Sequence, residues 1–538
     1  MTEKYEHAEE RVVEYAHDDL VNVDIALQGQ KQELISLLRT AKSYRKGITL
    51  SLLMGLVIVM RCYDIVLIGS FYGFPSFRDR YGKVVPGDPS AGKQISGPWQ
   101  VALGVASLVG QIIGSFLVTI PMERYGRRPT LLISLFLTSA LTFMQFFSQS
   151  IQVLTASEYL SGVVWGTYQV LIPTFASELM PTKLRPFLTG YINACYNIGG
   201  LIASGIVKGF DSRTDEWGYR IPFALQWIWP VLCIPIVFIS PESPWWLTKN
   251  GKTDMAEKAL EKLTDKDSPD IDIKKTLEMM KKTVVFETVM EEDTTSFKDC
   301  FKGRAFRRTE IATMVFICQD FAGMFLSPSY FFEQVGLSTD QSYDLSIGVS
   351  AATLVSTLLA IFFLVPYYPR RLIFVSGLGI CAGIMLISGI LACLYQTTAV
   401  SWAQGILLLV CDVFYCASIG PLTYTYLTEV PSTRLKSKTV SISIAVDAVC
   451  GIITSVANPY LINPGEANLK GKSMFLWSGI SIVNTIWAYF RLPETRNRTY
   501  EEIDILFENG IAARKFSRYL ISDEELRNDL EVPEKAAE

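Results

Sequence analysis

Histidine is nearly absent from this 538-residue sequence, which contains only His7 and His17, both close to its start. Because histidine is the commonest metal ligand and general base in proteins, we expect neither a histidine-based metal centre nor a Ser/His/Asp triad. The ten cysteines include no Cys-x-x-Cys pair, and all except Cys300 lie in apolar runs. We therefore expect no enzyme activity, no metal ion and no other cofactor.

Charge is also scarce. Charged residues make up 19% of the chain and the formal net charge is -4, so the basic surface by which proteins bind nucleic acid is missing. Hydrophobic residues make up 49%, and apolar runs of about 20 residues recur, which is the length of a helix that crosses a bilayer. The sequence predicts an all-α membrane protein with twelve spans, near 48–70, 99–120, 130–149, 151–180, 187–208, 221–240, 310–334, 342–365, 371–395, 401–428, 438–462 and 473–490.

Lysine and arginine concentrate in the connections that follow the even-numbered spans, which places these connections and both termini in the cytosol. The acidic start of the chain does not have the pattern of a signal peptide. We predict a cytosolic tail at 1–47, a six-helix half at 48–240, a cytosolic linker with short helices at 241–309, a second six-helix half at 310–491 and a cytosolic tail at 492–538.

Three motifs recur at an offset of six spans. ERYGRRP (Glu123 to Pro129) is echoed by PYYPRRL (Pro366 to Leu372), SELMPTKLRP by TEVPSTRLKS, and PESPWWL by PETRNRT. Two halves related by a pseudo-two-fold axis, with a site between them near the bilayer midplane, are typical of alternating-access carriers.

These motifs place acids and arginines at equivalent cytosolic positions of both halves. Salt bridges among them would hold the cytosolic side shut, acting as a network because exposed pairs contribute only about 0–1 kcal/mol each. Anchoring by positive charge alone is the alternative, and it explains the arginines but not the acids. The predicted cytosolic gate consists of Glu123, Arg124, Arg127, Arg128, Glu178, Arg370, Arg371 and Glu429.

Two opposite charges, Arg61 and Asp64, lie inside the first apolar run. Each unpaired charge at the centre of a spanning helix costs about 2.5–3.5 kcal/mol on insertion scales. At a spacing of three residues the two side chains share a helix face and can reach one another. Two interpretations are open: a self-neutralising structural pair, or a polar site on a transport path.

The motifs ERYGRRP, PESPWWL and PETRNRTYEEID resemble signatures of the sugar porter family of the major facilitator superfamily, over roughly residues 45–510. The segments Arg220 to Gly251 and Phe297 to Arg308 are similar to the fungal α-glucoside permeases, the maltose-type proton symporters. The resemblance implies a plasma-membrane carrier that takes up an α-glucoside with a proton. An uncoupled sugar facilitator and a non-transporting membrane sugar sensor are the alternatives.

The resemblance also implies a sugar site between the halves, where side chains replace water on the sugar hydroxyls and aromatic rings cover its C–H surfaces. Asn193 matches a ligand-binding amide, Gln319 and Asp320 replace a pair of glutamines, and Tyr424 stands where the family usually has a tryptophan. The full set of expected sugar contacts is Asn193, Asn197, Gln319, Asp320, Tyr330, Tyr424 and Asp447.

For proton coupling, Asp64 matches the acid that the family carries in span 1, and Glu158 stands where hexose symporters often have an arginine. The chain departs from the α-glucoside symporters at Arg61, Gln111 and Ile444, where they usually have two acids and an arginine. Our hypothesis is a cluster in which one acid pairs with Arg61 and the other takes up the proton. The alternative is that Arg61 keeps Asp64 ionised, which would leave a facilitator.

Overall fold

The computed structural model describes residues 37–519, apart from 73, 85–92, 211–212, 266–270, 290–295, 323–338, 396, 433–434 and 463–468. In the described part of the chain, eight helices are long and apolar enough to cross a membrane. They are Arg45–Phe71, Gly97–Arg124, Arg127–Phe146, Trp217–Ile239, Ile347–Leu364, Arg370–Leu391, Trp402–Glu429 and Lys436–Asn458, in the positions predicted for spans 1, 2, 3, 6, 8, 9, 10 and 11.

The other four predicted positions are also helical: Ile151–Leu179 is span 4, Arg185–Phe210 span 5, Gly303–Asp320 the described part of span 7, and Met474–Arg491 span 12. Spans 4 and 5 are less apolar because they carry polar side chains into the interior of the bundle, among them Glu158, Gln169 and Asn193. Span 7 begins at Gly303, several residues earlier than predicted and inside the stretch assigned to the linker.

Two helices of the first half cross without side chains between them. A Cβ added at Gly114 of span 2 would lie 1.9 Å from the carbonyl oxygen of Val163, and one at Gly162 of span 4 would lie 2.1 Å from that of Ser107. Gly110 and Gly166, four residues from these glycines, make equally close approaches. Small residues at this spacing let membrane helices touch backbone to backbone, and the contact brings the polar residues of spans 2 and 4 together.

Short helices connect the two halves. Pro244–Lys249, Thr253–Leu263 and Ile273–Val289 pack around a small apolar core of their own, as the helical spacing of apolar residues in the linker predicts. After span 12, the helix Tyr500–Glu508 begins with a capping box in which the Thr499 hydroxyl accepts from the N–H of Glu502 and the Glu502 carboxylate accepts from the N–H of Thr499. A two-residue antiparallel ladder, β1 (Lys83–Val84) with β2 (Lys93–Gln94), lies between spans 1 and 2.

Candidate functional site

Asp64 is buried on span 1 and is held by three N–H donors from three other helices. Its carboxylate accepts from Gln226 Nε2 at 2.6 Å, Trp165 Nε1 at 3.1 Å and Gln145 Nε2 at 3.3 Å. The same nitrogen of Gln145 donates to Glu158 Oε1 at 2.8 Å. The two predicted coupling acids are therefore joined through one amide, and both are at most 2% exposed.

Arg61 does not pair with either acid, so the predicted ion pair within this cluster is wrong. Its guanidinium donates to Gln111 Oε1 at 2.7 Å and to the hydroxyl of Tyr196, and it lies 5.2 Å from the centre of that ring. The hydroxyl of Tyr196 also accepts from Gln169 Nε2 at 3.0 Å. Sharing a helix face with Asp64 was not sufficient, because spans 2 and 5 offer Arg61 better-placed partners.

Asp447 of span 11 closes this network from the second half. Its carboxylate accepts from Gln111 Nε2 at 3.3 Å, and Gln169 Nε2 lies 3.4 Å from the same oxygen. Arg61 and the predicted sugar contact Asp447 thus share their neighbours, on opposite sides of the boundary between the halves.

The span 5 amides lie opposite the second half. Asn193 Nδ2 and Asn197 Nδ2 donate to the hydroxyl of Thr357, on span 8, at 3.2 and 2.9 Å. Gly420 of span 10 allows this approach, because a Cβ there would lie only 2.7 Å from the Asn193 amide. Both predicted amides of span 5 thus contact the second half.

Tyr424 of span 10 contacts aromatic rings of the first half and of span 7. Its ring stacks on Tyr196 with centroids 6.1 Å apart and meets the edge of Phe316 at 5.8 Å. On span 7, Gln319 Oε1 and Asp320 Oδ2 are buried and accept no hydrogen bond from the residues that the structure describes. Because buried acceptors are almost always satisfied, these two atoms suit a ligand that donates hydroxyl hydrogens. The remaining predicted contact, Tyr330, lies outside the described residues.

The predicted gate arginines and acids form two similar clusters, one in each half. Arg127 donates to Glu178 Oε1 at 2.8 Å, and the Ser243 hydroxyl donates to Glu178 Oε2 at 2.6 Å. In the second half Arg370 pairs with Glu429 and donates to the Thr495 hydroxyl at 3.0 Å. Both ion pairs lie within a half, so they stabilise each half and do not bridge the two.

Two acids that sequence reasoning missed complete these clusters. Glu242 accepts from the backbone N–H groups of Arg127 and Arg128, at 3.0 and 3.1 Å, and Glu494 accepts from those of Arg370 and Arg371, at 3.2 and 3.1 Å. Each acid thereby caps the N-terminus of a spanning helix. The PES and PET repeat contained this signal, since both acids occupy the same position in it.

Burial raises the pKa of Glu242 above its ordinary value, against the opposing effect of its backbone N–H donors and of Arg127. The guanidinium groups of Arg128 and Arg371 donate to backbone carbonyls, including those of Val237 and Tyr489, and make no ion pair with the gate acids. The guanidinium of Arg124 lies 5.5 Å from the ring of Tyr125.

A different set of residues joins the two halves on the side where the gate clusters lie. We call this set the latch: Ser177, Arg185, Lys436 and Tyr500. Lys436 Nζ donates to the hydroxyl of Ser177 in the first half at 2.8 Å and to that of Tyr500 at 2.6 Å. The guanidinium of Arg185 lies 3.9 Å from the centre of the Tyr500 ring. At its edge, Ser437 donates to Glu123 at 2.6 Å, so of the predicted gate residues Glu123 does contact the opposite half.

Comparison with known proteins gives a consistent result. The family described as "Sugar (and other) transporter" matches residues 50–507. Maltose permease MAL61 of Saccharomyces cerevisiae is 34% identical over 491 residues, which cover 89% of this chain and 78% of the permease. The general alpha-glucoside permease of Saccharomyces cerevisiae is 32% identical over 497 residues, which cover 91% of this chain and 80% of that protein.

Two solved structures of the Escherichia coli xylose transporter XylE bear on the fold. The proton:xylose symporter XylE bound to 6-bromo-6-deoxy-D-glucose superposes with a TM-score of 0.69 at 21% identity, over 87% of this chain and 100% of that one. The inward open conformation of XylE gives a TM-score of 0.58 at 19% identity, over 86% and 99% of the two chains. This likeness confirms the predicted major facilitator fold, with twelve helices in two halves.

Proposed function

The chain belongs to the sugar transporter family, and from this premise we propose that it imports an α-glucoside across the plasma membrane by proton symport, with both termini in the cytosol. The substrate class is supported by the relatives named maltose permease and alpha-glucoside permease, at 34% and 32% identity. The observation that carries the symport proposal is the pair of acids, Asp64 and Glu158, that share the amide of Gln145.

This arrangement suits proton binding. Among the residues that the structure describes, neither acid has a lysine or arginine partner, and Gln145 gives one N–H group to both. Two negative charges buried side by side repel each other, and a single proton removes one of them. Because the donors come from spans 3, 4 and 6, a small movement of these helices changes how well each carboxylate is satisfied. A rocking motion of the halves can therefore load the proton on one side and release it on the other.

For the sugar we propose a site formed by Asn193, Asn197, Gln319, Asp320, Tyr330, Tyr424 and Asp447. The two unsatisfied acceptors on span 7 would take hydroxyl hydrogens, and the amides of span 5 would exchange Thr357 for the ligand. The stacked rings of Tyr196 and Tyr424 offer an apolar face to the C–H surface of a pyranose. Contacts from both halves let the bound sugar pull them together, as alternating access requires.

Uptake-driven alkalinisation of the medium tests symport. In cells that lack their own α-glucoside transporters, addition of maltose should alkalinise the medium with the wild type. Asp64→Asn and Glu158→Gln should each abolish this signal, because an amide cannot carry the proton. Asp79→Asn is the matched control, since the Asp79 side chain is exposed and pairs with Lys93. Sugar uptake that is insensitive to pH and to both substitutions would contradict symport and favour the facilitator.

Radiolabelled uptake of maltose, trehalose, sucrose and glucose in the same cells tests the substrate class and the sensor alternative. We expect competition among the α-glucosides and weaker inhibition by glucose. Uptake of glucose alone would overturn the α-glucoside assignment. Saturable sugar binding to the purified protein without any flux would identify a sensor.

A further inference from the structure

We propose that Arg61 belongs to the sugar site, where it and Asp447 form a charge-compensated bridge between the two halves through the side-chain amides of Gln111 and Gln169. The sugar would bind at this bridge, and Arg61 would position and select it. The proposal rests on the proposed function for the identity of the ligand, but the bridge itself is defined by side-chain geometry alone.

The orientation of Gln111 is the first observation. Its amide oxygen accepts from the Arg61 guanidinium at 2.7 Å, while its amide nitrogen donates to the Asp447 carboxylate at 3.3 Å. An amide has an acceptor at one end and donors at the other, so a glutamine between a cation and an anion satisfies both and is polarised by both. Gln169 Nε2 donates to the same carboxylate at 3.4 Å and to the Tyr196 hydroxyl at 3.0 Å. Because Arg61 donates to this hydroxyl too, Gln169 and Tyr196 give the bridge a second arm.

The position of the two charges is the second observation. Arg61 lies on span 1 and Asp447 on span 11, so the bridge crosses the boundary between the halves. Arg61, Gln111 and Gln169 are at most 4% exposed. A buried cation surrounded only by neutral groups is costly, and removing one partner of a buried pair leaves an uncompensated charge. Asp447 is the acid that its amide neighbours connect to Arg61, and it supplies the compensating charge.

Unused hydrogen-bonding capacity is the third observation. Arg61 Nε is buried and has no hydrogen-bond partner in the described part of the chain, and the same is true of Asp320 Oδ2 near Asp447. A free donor and a free acceptor at the two ends of the bridge match the hydroxyl groups of a pyranose ring, each of which both donates and accepts. The ligand class that fits is therefore a neutral sugar with hydroxyls presented to the bridge. Tyr196, whose hydroxyl bonds Arg61, connects the bridge to the ring of Tyr424, on which its own ring stacks.

The bridge separates two tasks on neighbouring turns of span 1. Asp64 faces spans 3, 4 and 6 and would bind the proton, while Arg61 faces spans 2, 4, 5 and 11 and would bind the sugar. Substitutions at Arg61 should therefore change sugar affinity and leave the number of protons carried per sugar unchanged. If Arg61 instead belonged to the proton site, substitutions there should change the number of protons carried per sugar and leave sugar affinity unchanged.

A double-substitution cycle tests the bridge. Full-length wild type, Arg61→Gln, Asp447→Asn and the double variant are purified, and their melting temperatures and affinities for radiolabelled maltose are measured. Each single variant should lower the melting temperature, because it leaves one charge at the boundary of the halves without its counter-charge. The double variant should melt above the less stable single variant. If the losses in melting temperature of the two single variants simply add in the double variant, the proposed bridge is wrong, and this test requires no ligand.

Maltose affinity and the ratio of protons to sugar distinguish a role of Arg61 in sugar binding from a purely structural role. Arg61→Gln should weaken maltose binding at least tenfold, and Arg61→Lys should recover part of it, while the ratio of protons to sugar stays at the wild-type value in the uptake that remains. A changed ratio with unchanged affinity would overturn the proposal. If no variant, including the wild type, transports sugar, the proposed function fails while the melting cycle still decides whether the bridge exists.

Discussion

Lys436 is the residue whose removal should open the latch without damaging either half. Its ammonium group is buried, at 4% residue exposure, and makes one bond to Ser177 across the boundary and one to Tyr500 on its own side. Only the first bond must break when the halves separate. A hydrogen bond to a charged group contributes about 1.5–3 kcal/mol, and 1.4 kcal/mol corresponds to about a tenfold change in an equilibrium constant. Lys436→Met, which keeps the length of the side chain, should therefore favour the cytosol-open state about 10- to 100-fold.

Cysteine accessibility measures this shift. Thr425 is 1% exposed and lies 3.1 Å from Thr189 of the opposite half, behind the latch. A Thr425→Cys reporter in inside-out vesicles should react slowly with an impermeant maleimide, and much faster when combined with Lys436→Met. Lys302→Met is the matched control, because Lys302 is an exposed residue that pairs locally, with Asp299 three residues before it. Equal labelling rates in the Lys436→Met and control proteins would refute the latch.

Three further predictions concern helix packing, a helix cap and the proton site. Gly114→Ala should lower the melting temperature strongly, because its Cβ would lie 1.9 Å from a backbone oxygen, whereas Gly104→Ala on the same helix meets nothing within 4 Å and should be neutral. The pKa of Glu242 is raised in the folded protein, so wild-type stability should fall as pH rises from about 4.5 through that pKa. Thermal melts should show no such slope in Glu242→Gln, and the wild-type slope in Glu261→Gln, a control at an exposed residue. Gln145→Leu should abolish maltose-driven alkalinisation while the purified protein still binds maltose; normal alkalinisation would exclude a role for this amide.

The sequence predicted the features that depend on repetition and periodicity. Spans were visible because crossing a bilayer requires about 20 apolar residues, and the six-span repeat correctly indicated equivalent clusters in the two halves. The repeat did not reveal that Arg127 and Arg370 pair within their own halves, because a motif fixes which residues are equivalent and not which surfaces they face. The contacts that do cross the boundary, such as Lys436 with Ser177, join residues that are not equivalent in the repeat.

For a related reason, the sequence could not show which neighbours the Arg61 side chain contacts. A spacing of three residues places Arg61 and Asp64 on one helix face, but a long arginine side chain can turn towards several neighbours. Its partners Gln111 and Tyr196 are contributed by spans 2 and 5, and their arrangement depends on how closely the helices pack. The glycine contact between spans 2 and 4 is one such determinant, because it brings Gln111 and Gln169 together beside Asp447.

Glutamine side chains connect the charges in both parts of the proposed site. Gln145 lies between two acids, and Gln111 lies between an arginine and an acid. A carrier must move these groups past one another without leaving a bare charge in the bilayer, where each costs several kcal/mol. An amide can rotate and offer either an acceptor or a donor, so it can follow a moving partner where a fixed ion pair would break. On this reasoning the amides adjust as the halves rock, and the charges of Asp64 and Arg61 remain solvated by protein in both states.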